Sequence, residues 1–244
     1  MIEYYIISIA AMLFCAMIAG IASARVRSAY KKYGKMPTQS HMTGYDTATR
    51  LLRVNGVRDI SVGRVGGFLS DHYHPTKKQV NLSAGVYGND SIAACAVAAH
   101  EVGHVMQNKK GYAPYKLRGA LVKITNIGSY LAMPLVLIGL VLDFIVGFAG
   151  ESDLGFYIAL IGVAFYGLSM VFALVTLPVE LNASRRAKKM LVQEGILTAD
   201  ELPYADKMLD AAAQTYLASL LTSFIYFLRF ALWVFALFGR RRRR

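Results

Sequence analysis

Four long apolar runs, each bordered by lysine or arginine, restrict this chain to a fold that lives in a lipid bilayer. The first extends from about Ile2 to Ala24, and about 20 apolar residues suffice to cross the hydrocarbon core. Ala22-Ser23-Ala24 imitates a signal-peptide cleavage site. However, Glu3 stands at the start of the run, no Lys or Arg precedes it, and the run is long for a signal sequence, so an uncleaved anchor is expected. Arg25, Arg27, Lys31, Lys32 and Lys35 follow at once and put its C-terminal end in the cytoplasm. The second and third runs, Asn126 to Ala149 and Asp153 to Pro178, read as a hairpin. The turn Gly150-Glu151-Ser152-Asp153 is acidic and free of cations. Lys116, Arg118 and Lys123 precede the pair, and Arg185, Arg186, Lys188 and Lys189 follow it. The fourth run, Tyr216 to Gly239, contains Arg229 and ends in Arg240 to Arg244. A simple crossing would export five arginines, so crossing, re-entry and an interfacial position all stay open.

Composition supports the bilayer reading. Hydrophobic residues make up 55% of the 244 and charged residues 17%, against roughly 45–50% and about 25% in soluble domains. The net charge of +12 does not indicate nucleic acid, because the cations lie mostly beside the apolar runs, where topology accounts for them. Cys15 and Cys95 fall in different apolar segments and suggest no disulfide framework; Cys95 is expected to be a small packed residue.

Between the first and second runs lies a soluble stretch from about Ser28 to Lys123. Asp46 to Val54 reads as a short helix closed by Asn55-Gly56. Arg58 to Val62 and Gln79 to Leu82 read as strands. Asp90-Ser91 offers an N-cap to an alanine-rich helix reaching about Asn108. That helix carries His100-Glu101-Val102-Gly103-His104, the HExxH pattern. Positions i and i+4 share a helical face, so both imidazoles can reach one Zn²⁺, and the adjacent Glu101 can act as the general base. Ordinary core or surface histidines are the plainer reading, but placing such polar groups in so apolar a helix would be costly without a partner.

A catalytic zinc needs a third protein ligand. A hairpin that crosses twice returns the chain to the starting side just after Pro178, where Glu180 is the first acidic residue. Pro178 could open the helix that presents it; a surface glutamate paired with the nearby cations is the other reading. His72 and His74 share a face of any strand through them and could bind a second metal or substrate, although an exposed loop before Pro75 is the expectation. Asp143, inside the second run, is functional by default at that depth.

The segment Ala98 to Gln107 and the stretch Glu180-Leu181-Asn182-Ala183-Ser184-Arg185-Arg186-Ala187 resemble the YugP-like membrane zinc metallopeptidases, as do Ser70-Asp71-His72-Tyr73-His74-Pro75 and Asn81-Leu82-Ser83. The resemblance covers most of the chain. It is more distant to the HtpX-like membrane endopeptidases, which also insert a hairpin between HExxH and a later glutamate ligand. The resemblance implies that Glu180 is the third ligand. It also implies a peptide-binding edge strand within Gly66 to Leu69 or Val80 to Ser83. HtpX-like enzymes usually carry Asp four residues after the glutamate, where this chain has Ser184, so an outer contact from that Asp is not carried over.

The expected architecture is α+β and predominantly helical: an integral membrane protein with a zincin-like, gluzincin-type metallopeptidase domain, its HExxH helix beside a small β-sheet. Residues 1–24 would form the anchor, 25–125 the metallopeptidase core and 126–178 the transmembrane hairpin. Residues 179–215 would carry the third ligand and a cytoplasmic segment, and 216–244 an apolar helix with the arginine tail. The expected function is endopeptidase action on membrane proteins or their cytosolic segments. One zinc ion would be held by His100, His104 and Glu180, with Glu101 as base, and no nucleic acid would be involved. The expected location is a bacterial cell membrane with the active site on the cytoplasmic face. Arg185, Arg186 or a tyrosine could stabilise the oxyanion, and the oligomeric state stays open, with Gly139, Gly147 and Gly155 available for helix contacts. Two rivals remain. One is a site-2-type intramembrane protease using Asp143, against which stand a motif helix short for a span and the absence of Gly after Asp143. The other is a zinc-containing membrane adaptor without turnover.

Overall fold

The computed structural model describes residues 2–146 and 153–241, so the Gly150 to Ser152 part of the expected turn, Gly147 and Arg242 to Arg244 lie outside the described residues. Seven α-helices and three strands follow in the order α1 (Ile2–Tyr33), α2 (Gly44–Val54), β1 (Ser61–Val65), β2 (His72–His74), β3 (Gln79–Ser83), α3 (Ala84–Tyr87), α4 (Ile92–Lys109), α5 (Ala113–Val146), α6 (Leu154–Gln193) and α7 (Leu202–Arg241). The helices α1, α5, α6 and α7 are long and apolar enough to cross a membrane. In lipid no water can satisfy the backbone, so an apolar run of this length must close its own hydrogen bonds as a helix.

The chain divides into two compact units. One comprises Met1–Ala19, Leu117–Thr176 and Leu217–Arg244. In it a Cβ on Gly139 would collide with the Gly155 carbonyl oxygen of α6, so these glycines serve close packing of α5 on α6 within one chain. Val136, Ala159, Val163, Phe230 and Val234 form its apolar core, with Tyr166 and Phe230 rings 4.8 Å apart. The last apolar run is the C-terminal part of a single helix beginning at Leu202.

The other unit comprises Gly20–Lys116 and Leu177–Tyr216. Its sheet has the order β1-β3-β2, with β1 parallel and β2 antiparallel to β3. Alternation sends Val80 and Leu82 of β3 inward against Leu51 and Leu52 of α2, Val102 and Val105 of α4, and Leu191, Ile196 and Leu197. Burying each leucine there contributes roughly 1.5–3 kcal/mol. The helix α2 starts earlier than the sequence reading, at Gly44, because Thr43 and Asp46 form a reciprocal capping box. Burial pushes the Cys95 thiol up to about 11. Its sulfur accepts from Thr47 and donates to the Met42 carbonyl, so it packs as a small, neutral residue.

Four expectations need correction. First, β1 occupies Ser61–Val65 rather than Arg58 to Val62. Second, His72-Tyr73-His74 is a strand, not a loop: Tyr73 turns inward, where its hydroxyl accepts from Asn108 at 3.0 Å, and antiparallel pairing to β3 holds the segment extended. Third, Val80 to Ser83 lies in the central strand, and Gly66 to Leu69 is not a strand, so the free sheet edges belong to β1 and β2. Fourth, Pro178 lies inside α6 rather than at a helix start. Apolar helices tolerate an internal proline when neighbouring groups satisfy the loosened backbone. Here Thr176 donates to the Phe172 carbonyl at 2.7 Å and Gln107 to the Val179 carbonyl at 2.7 Å.

Candidate metal centre

The Ser91 hydroxyl accepts from the Ala94 N–H at 3.2 Å and so sets the start of α4. From there the helical repeat places Ala93, Val97, His100 and His104 along one stripe. Its alanines allow close neighbours. At Gly103 the approach is closest: an added Cβ would stand 2.7 Å from the Ala183 carbonyl oxygen of α6. The obstacle is backbone and cannot swing aside. Gly103→Val is therefore expected to cost about 1–3 kcal/mol through overpacking, read as a lower unfolding midpoint in detergent.

This close approach brings Glu180 between the two histidines. Its Oε2 lies 3.1 Å from His100 Nε2 and 3.3 Å from His104 Nε2. Among the described residues, His100, His104 and Glu180 are the group of metal-ligating side chains that converge, with ligand atoms all within 4.8 Å of one another. Glu180 is only 2% exposed and His104 7%.

The outer nitrogens of both rings are held from behind. His100 Nδ1 meets the Ser184 hydroxyl at 3.1 Å, and His104 Nδ1 meets Gln107 Oε1 at 2.9 Å. The orientation of Gln107 follows from its surroundings. Its Nε2 donates to the Val179 carbonyl and, at 3.0 Å, to Asn182 Oδ1, both pure acceptors, so the atom facing His104 is the carbonyl oxygen. His104 Nδ1 must then be the donor, and a neutral His104 turns its Nε2 lone pair towards a carboxylate. Acceptors facing each other at such distances in a buried site call for a cation between them. Ligands about 2.0–2.1 Å from a common tetrahedral centre lie about 3.3 Å apart, close to the two separations between Glu180 and the imidazoles, while the full set spreads within 4.8 Å. The residues therefore fit a zinc ion. Without metal, protons take that role. Burial opposes the charge of both partners, yet hydrogen bonds and mutual attraction raise His104 above its ordinary value and hold Glu180 well below the usual carboxylate range.

Glu101 follows His100 on α4, is buried, and lies within electrostatic reach of His104. Sequence reasoning missed Gln107, Asn182 and Tyr115, whose ring is 6.1 Å from that of His104. The Gln107 signal was its position one turn beyond His104. Arg186 donates from Nε to Asn182 Oδ1 at 2.8 Å and so joins this network, while Arg185 is exposed. His72 lies outside the cluster and has both nitrogens engaged, by the Ser70 carbonyl at 2.8 Å and by Asn81 Nδ2 at 3.2 Å; His74 Nδ1 accepts from the Lys77 N–H. Neither joins a second group of three ligands among the described residues. Asp143 is placed on α5, its side chain outside the described residues.

Comparison with known proteins points the same way. The family model described as "Putative neutral zinc metallopeptidase" matches residues 5–235. A curated relative, "Putative membrane protease YugP" of Bacillus subtilis (strain 168), is 41% identical over 211 residues, which is 86% of this chain and 89% of that protein. No solved structure matches the chain.

Proposed function

The chain belongs to the neutral zinc metallopeptidase family, and from that premise we propose that it is a membrane-bound zinc endopeptidase of the zincin-like, gluzincin type. The observation that carries the reading is the convergence of two imidazole Nε2 atoms and one buried carboxylate oxygen, with both Nδ1 atoms engaged elsewhere. His100, His104 and Glu180 would hold one zinc ion. Zinc bound there supplies a Lewis acid that lowers the pKa of water towards about 7 and polarises a peptide carbonyl. Glu101 accepts the proton of the attacking water and passes it to the leaving amine nitrogen as the C–N bond breaks. Ser184 and Gln107 fix the tilt and tautomer of the imidazoles, which keeps both Nε2 lone pairs inward. Tyr115, whose ring stands 6.1 Å from that of His104, is the tyrosine to test as a partner of the oxyanion.

Substrate would add to the open edge of β2, the strand that reaches α4 through the Tyr73–Asn108 hydrogen bond. The substrates we infer are membrane proteins or their cytosolic segments, cut on the cytoplasmic face. The exposed cations Arg25, Arg27, Lys31 and Lys32 of α1, with Lys35 just after it, support that face. In this reading residues 1–24 anchor the chain, 126–178 form a transmembrane hairpin, and 25–125 with 179–215 make up the catalytic part. Against the intramembrane rival stands the packing of α4 on α2 and the sheet.

The direct test is the metal itself. Purified wild type is expected to carry about one zinc per chain by elemental analysis, to cleave an unfolded protein substrate, to stop on chelation and to recover with zinc. A wild type without metal that still cleaves would remove the basis of the proposal. Gln107→Ala and Ser184→Ala are each expected to weaken zinc binding by about 10–100-fold in competition with a chelating dye. Unchanged affinity in both would mean that the Nδ1 contacts do not tune the site.

A further inference from the structure

The loop between β1 and β2 carries a feature that neither the metal centre nor the core explains. Phe68 is 61% exposed at its tip, although burying such a ring is worth roughly 1.5–3 kcal/mol. The exposure is built in. Ser70 closes the loop by donating to the Gly66 carbonyl at 2.7 Å, and Gly67 and Leu69 adopt φ values of +98° and +51°. Asp71 ties the following residue to β3, accepting from the Ser83 N–H at 2.7 Å and its hydroxyl at 3.0 Å. Leu69 turns inward against the cluster of Tyr33, Ala93 and Met208, while Phe68 faces out with its ring against Tyr30, centroids 5.1 Å apart and nearly perpendicular.

Tyr30 shows at what level that ring stands. It lies on α1 five residues beyond Arg25, the first cation after the apolar run, which is about 7.5 Å of helix. The headgroup zone extends about 5–8 Å beyond the hydrocarbon on each side. The exposed charge flanking the ring in sequence is mostly cationic. Arg25, Arg27, Lys31 and Lys32 are exposed on the same stretch of α1, Lys35 just beyond its end and Arg64 on β1, while Asp71, the carboxylate that acts on Tyr30, is half-buried and turned to Ser83.

We propose that the Gly66 to Ser70 loop is a membrane-interface anchor, with Phe68 seated among phospholipid headgroups and the α1 cations paired with their phosphates. An exposed apolar ring amid cations fits that layer, where the ring meets lipid at the acyl boundary and the cations meet phosphate. The anchor reaches the catalytic helix. Leu69 packs against the cluster of Tyr33, Ala93 and Met208, and Ala93 begins the stripe of α4 that continues to His100 and His104, so lipid holding Phe68 also steadies the helix that carries the metal centre.

The test uses the full chain in nanodiscs containing phosphatidylglycerol. Wild type has one tryptophan, Trp233, so the spectrum of Phe68→Trp minus that of wild type reports the loop alone. The difference emission is expected to be blue-shifted from that of a water-exposed indole. It should be quenched at least about twofold more by a nitroxide near the headgroup than by one at the chain end. A second probe avoids tryptophan. A nitroxide on Phe68→Cys, with Cys15 and Cys95 buried, should collide with lipid-borne oxygen more than with a water-soluble nickel chelate. Water-like emission unquenched by either lipid, or emission that shifts only when a peptide-based inhibitor is added, would overturn the proposal. The second result would assign Phe68 to the substrate cleft instead.

Discussion

Glu101→Gln is expected to retain zinc at wild-type content and to hydrolyse peptide about 10²–10⁴-fold more slowly, the range that a positioned general base supplies. The amide keeps the size and place of the carboxylate on α4 and cannot accept the proton of the attacking water. Since Glu101 is not among the three converging ligands, metal content should not move. The assay pairs elemental analysis with cleavage of an unfolded protein substrate, and the variant doubles as a trap for bound substrate. Zinc retained with undiminished cleavage would remove Glu101 from the chemistry. A cellular phenotype fully preserved by this variant would favour the adaptor reading, in which the site holds metal without turning over peptide.

Glu180→Ala should lose the metal. Apparent zinc binding energies of about 10–16 kcal/mol shared over four ligands leave roughly 2.5–4 kcal/mol for each, so affinity should fall by about 10²–10³-fold. Glu180 also balances two imidazoles in a buried place, which makes its removal harder to compensate. The check is zinc titration beside circular dichroism, the latter expected to be unchanged because α6 has no need of the carboxylate. His104→Ala should behave alike. Zinc that survives Glu180→Ala and is lost in His104→Ala would place the third ligand elsewhere, and Asp143→Asn would then be the next variant to measure.

The parts legible in the sequence are those governed by local rules. Ser91 before an alanine-rich stretch marks the start of α4, and the i, i+4 spacing puts His100 and His104 on one face before any tertiary contact is considered. Glu180 was singled out for a topological reason: if the two central apolar runs form a hairpin that returns to its own side, Glu180 is the first acid after the return. What stayed hidden depends on partners far away in the chain. Ser184 reaches His100 across 84 residues and Gln107 reaches Val179 across 72, and neither serine nor glutamine has a composition signal for such work. The sheet order misled for a related reason. Three polar-looking residues, His72-Tyr73-His74, become a strand only because β3 is there to pair, and that pairing turns β3 from an expected edge into the centre. Pro178 was read by the rules of soluble helices, and apolar helices relax them.

The ligands are divided in time as well as in sequence. His100 and Glu180 stand 80 residues apart, with α5 and most of α6 between them. At about 5–20 residues per second of synthesis, the histidines emerge roughly 4–16 s before the glutamate. In the proposed function, the nascent chain would carry two of its ligands and no third throughout that interval. Such a hydrolase would be born inert and gain its cutting power only once the Glu180 turn of α6 had packed on α4.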